Sequence, residues 1–201
     1  MDACFVDITV EFLSVAFHNI LYYASVYPKV IFETRKKYNI VVYRCLHPAV
    51  IMYIDKCLKS LAEAFKSNAL HRVELVMTDL NHKPEFSFVF DFEFMANFDE
   101  TADAYLVRIE QNLRAFCLLL GSVSKKFNAL PEDSSFKIQL YTTESVEVAL
   151  ESIPQAEDFP LVEVEEETEE LDNIMPLMRF SIRNYNVYTH IELPKPWTFC
   201  S

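Results

Sequence analysis

Glu85-Phe86-Ser87-Phe88-Val89-Phe90-Asp91-Phe92-Glu93-Phe94 is the stretch whose reading decides the fold. Strict alternation sends Phe86, Phe88, Phe90, Phe92 and Phe94 to one face of a strand. Ser87, Val89, Asp91 and Glu93 go to the other. A row of rings suits either a base-stacking platform or a packed core. Acidic residues lie between these rings and no Lys or Arg is near, so a core against helices is the better reading. Arg72 to Leu80 reads as a partner strand, and the intervening Asn81-His82-Lys83-Pro84 is a hairpin signal.

The helices that would cover the rings are legible on either side. Asp2 to Ala24 is apolar nearly all round, which places a helix in the middle of a domain rather than on its surface. Pro48, whose missing N–H is harmless in a first turn, opens a second helix reaching Ser67-Asn68. Its stripe is Ile51, Ile54, Leu58, Leu61 and Phe65, with Tyr53 and Cys57 beside it. A third helix is expected from Thr101 to Leu120, capped by Asp99 or Thr101 and ended by Gly121 at C′. Arg108, Glu110, Gln111 and Arg114 lie off its apolar stripe, facing solvent or a partner.

Further strands are expected at Ile40–Arg44, Phe136–Thr142, Leu177–Arg183 and Tyr185–Leu193, the last two turning at Asn184. Ser25 to Asn39, with Pro28 and the triplet Arg35-Lys36-Lys37, reads as a solvated loop. Three charges alone do not make it a nucleic-acid contact or a nuclear address. The order implies an α+β domain, three helices packed on a largely antiparallel sheet.

Composition narrows the function. At 201 residues, 51% of them hydrophobic, the chain suits one domain with a substantial core. Its single glycine, Gly121, excludes the glycine loops that cradle nucleotide phosphates. Five scattered cysteines, with no C-x-x-C pair, suit a reducing compartment and argue against a cysteine-based zinc site. Asp7, Glu11, His18 and Asn19 interrupt the apolar stretch Phe5–Tyr27, which reads as too polar for a membrane span. A soluble, intracellular protein is expected.

The net charge of −12 belongs to one segment. Between Ile138 and Met178 there are twelve Asp or Glu and no Lys or Arg, so the rest of the chain is balanced. Six glutamates fall within Val162–Glu170, a run expected to stay solvated and mobile. From charge alone it is a surface loop. The strand-like sequence after it, with Met178, Phe180 and Ile182 in a row, makes it a link into a returning arm.

No arrangement of residues reads as an active site. The five histidines show no metal-binding spacing, His18 on its apolar helix reads as a hydrogen-bonded core residue, and Cys57 and Cys117 lie on or beside core stripes. No catalytic residue, cofactor or metal is expected, and an acidic balance argues against gripping nucleic acid directly.

Three blocks carry a resemblance. They are Glu11-Phe12-Leu13-Ser14-Val15-Ala16-Phe17-His18-Asn19-Ile20-Leu21-Tyr22; Val26-Tyr27-Pro28 through Ile31-Phe32 to Arg35-Lys36-Lys37-Tyr38-Asn39; and His47-Pro48 with Tyr53-Ile54. They resemble the HORMA-domain family, and Arg-Lys-Lys-Tyr-Asn is specific to its polymerase-zeta branch of non-catalytic accessory subunits. Leu113-Arg114-Ala115-Phe116 and Asp158-Phe159-Pro160 extend the match. The resemblance implies a single HORMA domain over 1–201, with a core over 1–144 and a mobile C-terminal safety-belt arm over 145–201.

In such a domain the arm wraps a partner segment that pairs with the sheet as an extra strand. The partner implied is a proline-containing segment of the polymerase-zeta catalytic subunit, bound through Tyr53, Ile54, Cys57, Phe159 and Leu161. Leu161 stands where many members have Trp, which changes the expected pocket. Arg114 matches an arginine used when two HORMA domains associate through the third helix. Tyr188 and His190 fall where a second translesion polymerase, through its C-terminal domain, would dock. The resemblance also implies an ATP-driven remodeller as a partner and work in the nucleus, with a cytoplasmic pool.

Two alternatives stay beside this adaptor. One is direct nucleic-acid binding through Arg35, Lys36 and Lys37, disfavoured because no other basic cluster accompanies them. The other is a HORMA adaptor in spindle-checkpoint and ubiquitin-ligase regulation, which the Arg-Lys-Lys-Tyr-Asn block disfavours, or in break-repair complexes, which some relatives also serve.

Overall fold

In the computed structural model, which describes residues 3–66, 70–95, 104–124, 130–131, 133–142, 173–182 and 185–194, the first helix is the centre of the molecule. α1 (Ala3–Tyr23) buries Phe5, Phe12, Leu13, Phe17 and Leu21 completely and touches both other helices, α2 (Pro48–Lys66) and α3 (Ala104–Val123). Its polar residues do not make it too polar for a membrane span, since Cys4–Tyr23 has a mean hydropathy of 1.5 and sufficient length. The structure accounts for that hydropathy differently: most of the helix is buried in the core, with Asp7 and Glu11 on its exposed side.

Seven strands follow: β1 (Phe32–Lys37), β2 (Ile40–Cys45), β3 (Leu70–Thr78), β4 (Pro84–Phe94), β5 (Ser135–Thr142), β6 (Asn173–Ile182) and β7 (Tyr185–Leu193). All pairings are antiparallel. β1 and β2 form a sheet of their own, and the other five run in the order β5-β3-β4-β7-β6. The α+β architecture, three helices on an antiparallel sheet, is as the sequence implies.

The aromatic row of β4 is the core. Phe86, Phe88, Phe90 and Phe92 are at most 5% exposed, and Phe90 meets Phe12, Phe17 and Phe116 edge-on or tilted. Phe94 departs from the pattern: it is 57% exposed at the strand's end, beside Tyr185. The terminal hairpin is joined to the same core. Phe180 packs against Phe12 and Phe116, and Tyr185 stacks on Phe5 at 4.5 Å.

Arg35, Lys36 and Lys37 are not a loop but half of a hairpin. β1 pairs with β2 across a turn in which Tyr38 and Asn39 both have positive φ, 50° and 57°. Asn tolerates that conformation and Tyr rarely does. Tyr38 holds it because its ring is buried and its hydroxyl reaches Glu11 Oε1 at 3.5 Å, while Lys37 pairs with Glu11 at 2.9 Å. The polar residues of α1 secure the other side. Asn19 Oδ1 accepts the Tyr43 N–H at 3.1 Å, and His18 Nδ1 accepts the Cys45 N–H at 3.3 Å. His18 is thus the hydrogen-bonded core histidine the sequence implies.

Gly121 is not a C′ residue. α3 continues through it to Val123, and its φ is not positive. A Cβ there would lie 3.1 Å from the Tyr23 hydroxyl and 3.3 Å from that ring, so glycine serves close packing of α3 on α1. The proposed caps Asp99 and Thr101 lie outside the described residues.

Candidate functional site: an open strand edge

β5 is the outermost strand on its side of the sheet, hydrogen-bonded on one edge to β3. On the other edge one backbone group has a protein partner among the described residues: the Ile138 N–H donates to the Tyr53 hydroxyl at 3.0 Å. In an antiparallel strand alternate residues share an edge, so Phe136, Leu140 and Thr142 turn their backbone groups the same way as Ile138. Those groups form a ready template for one more strand.

Beside this edge lies a largely apolar cavity of about 530 Å³. Tyr27, Pro28 and Ile31 supply one wall, from the turn after α1. His47, Ala49, Val50 and Tyr53, at or near the start of α2, supply the second, and Ser135 and Phe136 of β5 close it. Phe136 sits edge-on to both Tyr53 (5.5 Å) and Tyr27 (6.2 Å). α1 stops at Tyr23, and Pro28 instead precedes the short 3-10 turn Lys29–Ile31 that carries Ile31 to the cavity, while Pro48 opens α2 so that its first turns face it. Burial pushes the Tyr53 hydroxyl up to about 12, so it stays protonated and keeps an O–H to donate while accepting from Ile138. A strand edge flanked by an apolar slot suits an extended segment with apolar side chains.

The residues named from the sequence divide. Tyr53 lines the slot. Ile54 and Cys57 are fully buried in the core and do not line the slot, so they offer a partner no surface. Burial drives the Cys57 thiol up to about 11 and that of Cys117 up to about 12, which leaves neither a nucleophile at neutral pH. Phe159, Leu161 and the Val162–Glu170 run lie outside the described residues. Arg114 is exposed on α3, away from the core stripe.

Tyr188 and His190 are on β7, separated from β5 by β3 and β4. The Tyr188 hydroxyl donates to Glu93 at 2.7 Å, and the Arg179 guanidinium lies 4.7 Å over its ring. His190 sits between Asp91 (3.5 Å) and Glu192 (3.2 Å), beside Arg72, which bonds Asp91 at 2.7 Å. This charged layer is a second surface, separate from the slot. Among the described residues no group of His, Cys, Asp or Glu is arranged to hold a metal.

Sequence reasoning singled out Tyr53 but not its companions Tyr27, Ile31, Val50 and Phe136 as one site. The signal was present in part, since the Tyr-Pro turn, the His-Pro turn and Tyr53 stand in blocks that converge here. Phe136 is far away in the chain, and only the fold brings it across.

A helical layer on an antiparallel sheet whose β5 edge is open among the described residues, beside a slot for side chains, has the shape of a strand-capturing domain. The chain belongs to the HORMA-domain family, whose model matches residues 6–156. It is 34% identical over 161 residues to the human mitotic spindle assembly checkpoint protein MAD2B, covering 80% of this chain and 76% of that one. It is 26% identical over 163 residues to the Drosophila melanogaster DNA polymerase zeta subunit 2, covering 79% and 80%. Among solved structures, a chain of a mitotic checkpoint complex superposes with a TM-score of 0.75 at 18% identity, covering 94% of this chain and 97% of that one. C. elegans HTP-2 bound to a HIM-3 closure motif gives 0.68 at 12% identity, covering 96% and 90%. These two share the fold.

Proposed function

We propose that this protein is the non-catalytic adaptor subunit of a translesion polymerase zeta. It pairs the β5 edge with a proline-containing segment of the catalytic subunit, which the C-terminal belt holds in place. The observation that carries the reading is the Tyr53 hydroxyl on the Ile138 N–H, at an edge that no other described strand pairs with, beside an apolar slot. Backbone pairing would supply affinity, and the slot would select proline and aliphatic side chains, with Phe159 and Leu161 completing the grip. The relatives named as polymerase-zeta subunits support the choice of partner.

In the same proposal the Tyr188–His190 surface binds the C-terminal domain of a second translesion polymerase. Arg114 serves association with another HORMA domain, an ATP-driven remodeller reopens the belt, and the work is done in the nucleus, with a cytoplasmic pool. A second reading, an adaptor in spindle-checkpoint or break-repair complexes, draws support from the checkpoint name carried by several relatives.

The test is titration calorimetry of the full chain with synthetic proline-containing segments from the same organism's polymerase-zeta catalytic subunit. Wild type and Tyr53→Ala are compared, with thermal melts to confirm folding. Saturable binding lost in the folded variant supports the clamp. Absence of binding by folded wild type overturns the choice of partner, and binding indifferent to Tyr53 overturns the site.

A further inference from the structure

On the far side of α2 from the slot is a wider groove of about 780 Å³, sharing no lining residue with the first. α1 forms its floor, the β1–β2 hairpin one bank and α2 the other. Val10, Val15, Val42, Leu58 and Ala62 give it an apolar base.

The charge around it runs against the rest of the molecule. Between Lys29 and Lys66 there are eight Lys or Arg and three Asp or Glu, in a chain of net charge −12. Two cations on the groove are already paired, Lys37 with Glu11 and Arg35 with Glu33. Lys36, Arg44 and Lys59 are exposed along it and have no ion pair among the described residues.

His18 adds an independent pointer. It lines the groove at 4% exposure, and its Nδ1 is committed to the Cys45 N–H. The ring proton therefore sits on Nε2. Nε2 has no partner among the described residues. It is also not sealed in, since Thr9 Oγ1 is the one fully buried side-chain polar atom left unsatisfied among them. A donor held this way at the base of a cationic groove faces the position of an acceptor.

We propose that this groove binds an acidic peptide segment of a partner protein. Aliphatic or aromatic side chains of the segment would rest on α1, its carboxylates would pair with Lys36, Arg44 and Lys59, and one carboxylate or carbonyl would accept from His18. The alternative of nucleic acid fits less well. Asp7, Glu11 and Asp55 also line the groove; a peptide can space its carboxylates away from them, whereas a nucleic-acid backbone, charged at every nucleotide, cannot. Its one aromatic, Tyr43, is stacked on Tyr22 at 3.4 Å and so has a face already covered.

The experiment uses the full chain and fluorescein-labelled Glu-Asp-Glu-Leu-Phe-Glu-Asp-Glu, with the same peptide carrying lysines for its acids as control. Binding is followed by anisotropy and mapped by amide chemical shifts. The expected result is saturable binding of the acidic peptide, with shifts clustered at Lys36, Arg44 and Lys59. It should weaken about ten-fold or more in Lys36→Glu/Lys59→Glu and weaken with added salt. His18→Asn, which keeps an acceptor for Cys45 but removes the Nε2 donor, should weaken it further. No binding, binding that ignores the charge reversal, or binding of single-stranded DNA in place of the peptide would each overturn the proposal. If the double variant melts early, Arg44→Glu and the lysine peptide supply the same comparison.

Discussion

His18 makes the joint between α1 and the β1–β2 hairpin sensitive to acid. Burial, then the nearby Arg44 charge, lower its pKa from 6.5 to about 4, with Asp55 opposing. The unfolded chain therefore binds a proton that the folded chain refuses. The stability His18 contributes is complete above pH 6.5 and is lost as pH falls toward 4. A shift of about 2.5 units corresponds to about 3 kcal/mol at the acid end. The physical event is a clash of donors: a protonated Nδ1 cannot accept the Cys45 N–H. His18→Asn should keep an acceptor there and remove the titration, at about 1–2 kcal/mol for lost ring packing at pH 7. Urea unfolding of both proteins between pH 7 and pH 4 gives two stability curves, and carboxylates common to both cancel in their difference. The curves should converge or cross as pH falls, by about 3 kcal/mol in all. A constant offset across the whole range would refute the reasoning.

Tyr53→Phe removes the acceptor of the Ile138 N–H while keeping the ring. It should weaken partner-segment binding by about 1 kcal/mol, about five-fold in Kd by calorimetry, with a small stability change. Phe180→Ala should cost about 3–5 kcal/mol in denaturant unfolding, because the ring is packed between Phe12 and Phe116. Hydrogen exchange should then show β6 and β7 losing protection before β3. Gly121→Val should cost about 1–3 kcal/mol in thermal melts through contact with Tyr23, and Tyr23→Ala in the same chain should recover part of it.

How much was legible depends on what each residue had to satisfy locally. The β4 row as far as Phe92, the α2 stripe and the α3 stripe from Ile109 onward read correctly because burial alone fixes their periods. β1 did not: its exposed Arg35, Lys36 and Lys37 have loop composition, and its turn uses Tyr38-Asn39 instead of a glycine pair. What holds that turn is Glu11, twenty-seven residues earlier for Tyr38, a contact no local window contains. β6 was read four residues short at its start, because Pro176 argues against a central strand. It is tolerated since β6 is the outermost strand and the register shifts between Pro176 and Met178. Gly121 was misread for the opposite reason: its local meaning, a helix stop, lost to the close approach of Tyr23. At the candidate site Tyr53 was legible, whereas Phe136 and Ile31 belong to it only once β5 lies along the outer side of the sheet.

The placement of the terminal hairpin explains why no described strand covers that outer side. β7 pairs with β4, and Phe180, Ile182 and Tyr185 are buried in the core with α1 and α3. The last described strands therefore complete one side of the sheet and cannot also cover β5 on the other. An uncovered edge is a hazard that proteins blunt by shortening, bulging or charging the strand. β5 runs eight residues, with Lys137 its one exposed charge, and Tyr53 caps a single N–H. Alongside it lies the apolar cavity lined by Tyr27, Pro28, Ile31, Val50, Tyr53 and Phe136. Under the proposed function this edge receives another strand, and the order β5-β3-β4-β7-β6 is what leaves it free of the other described strands.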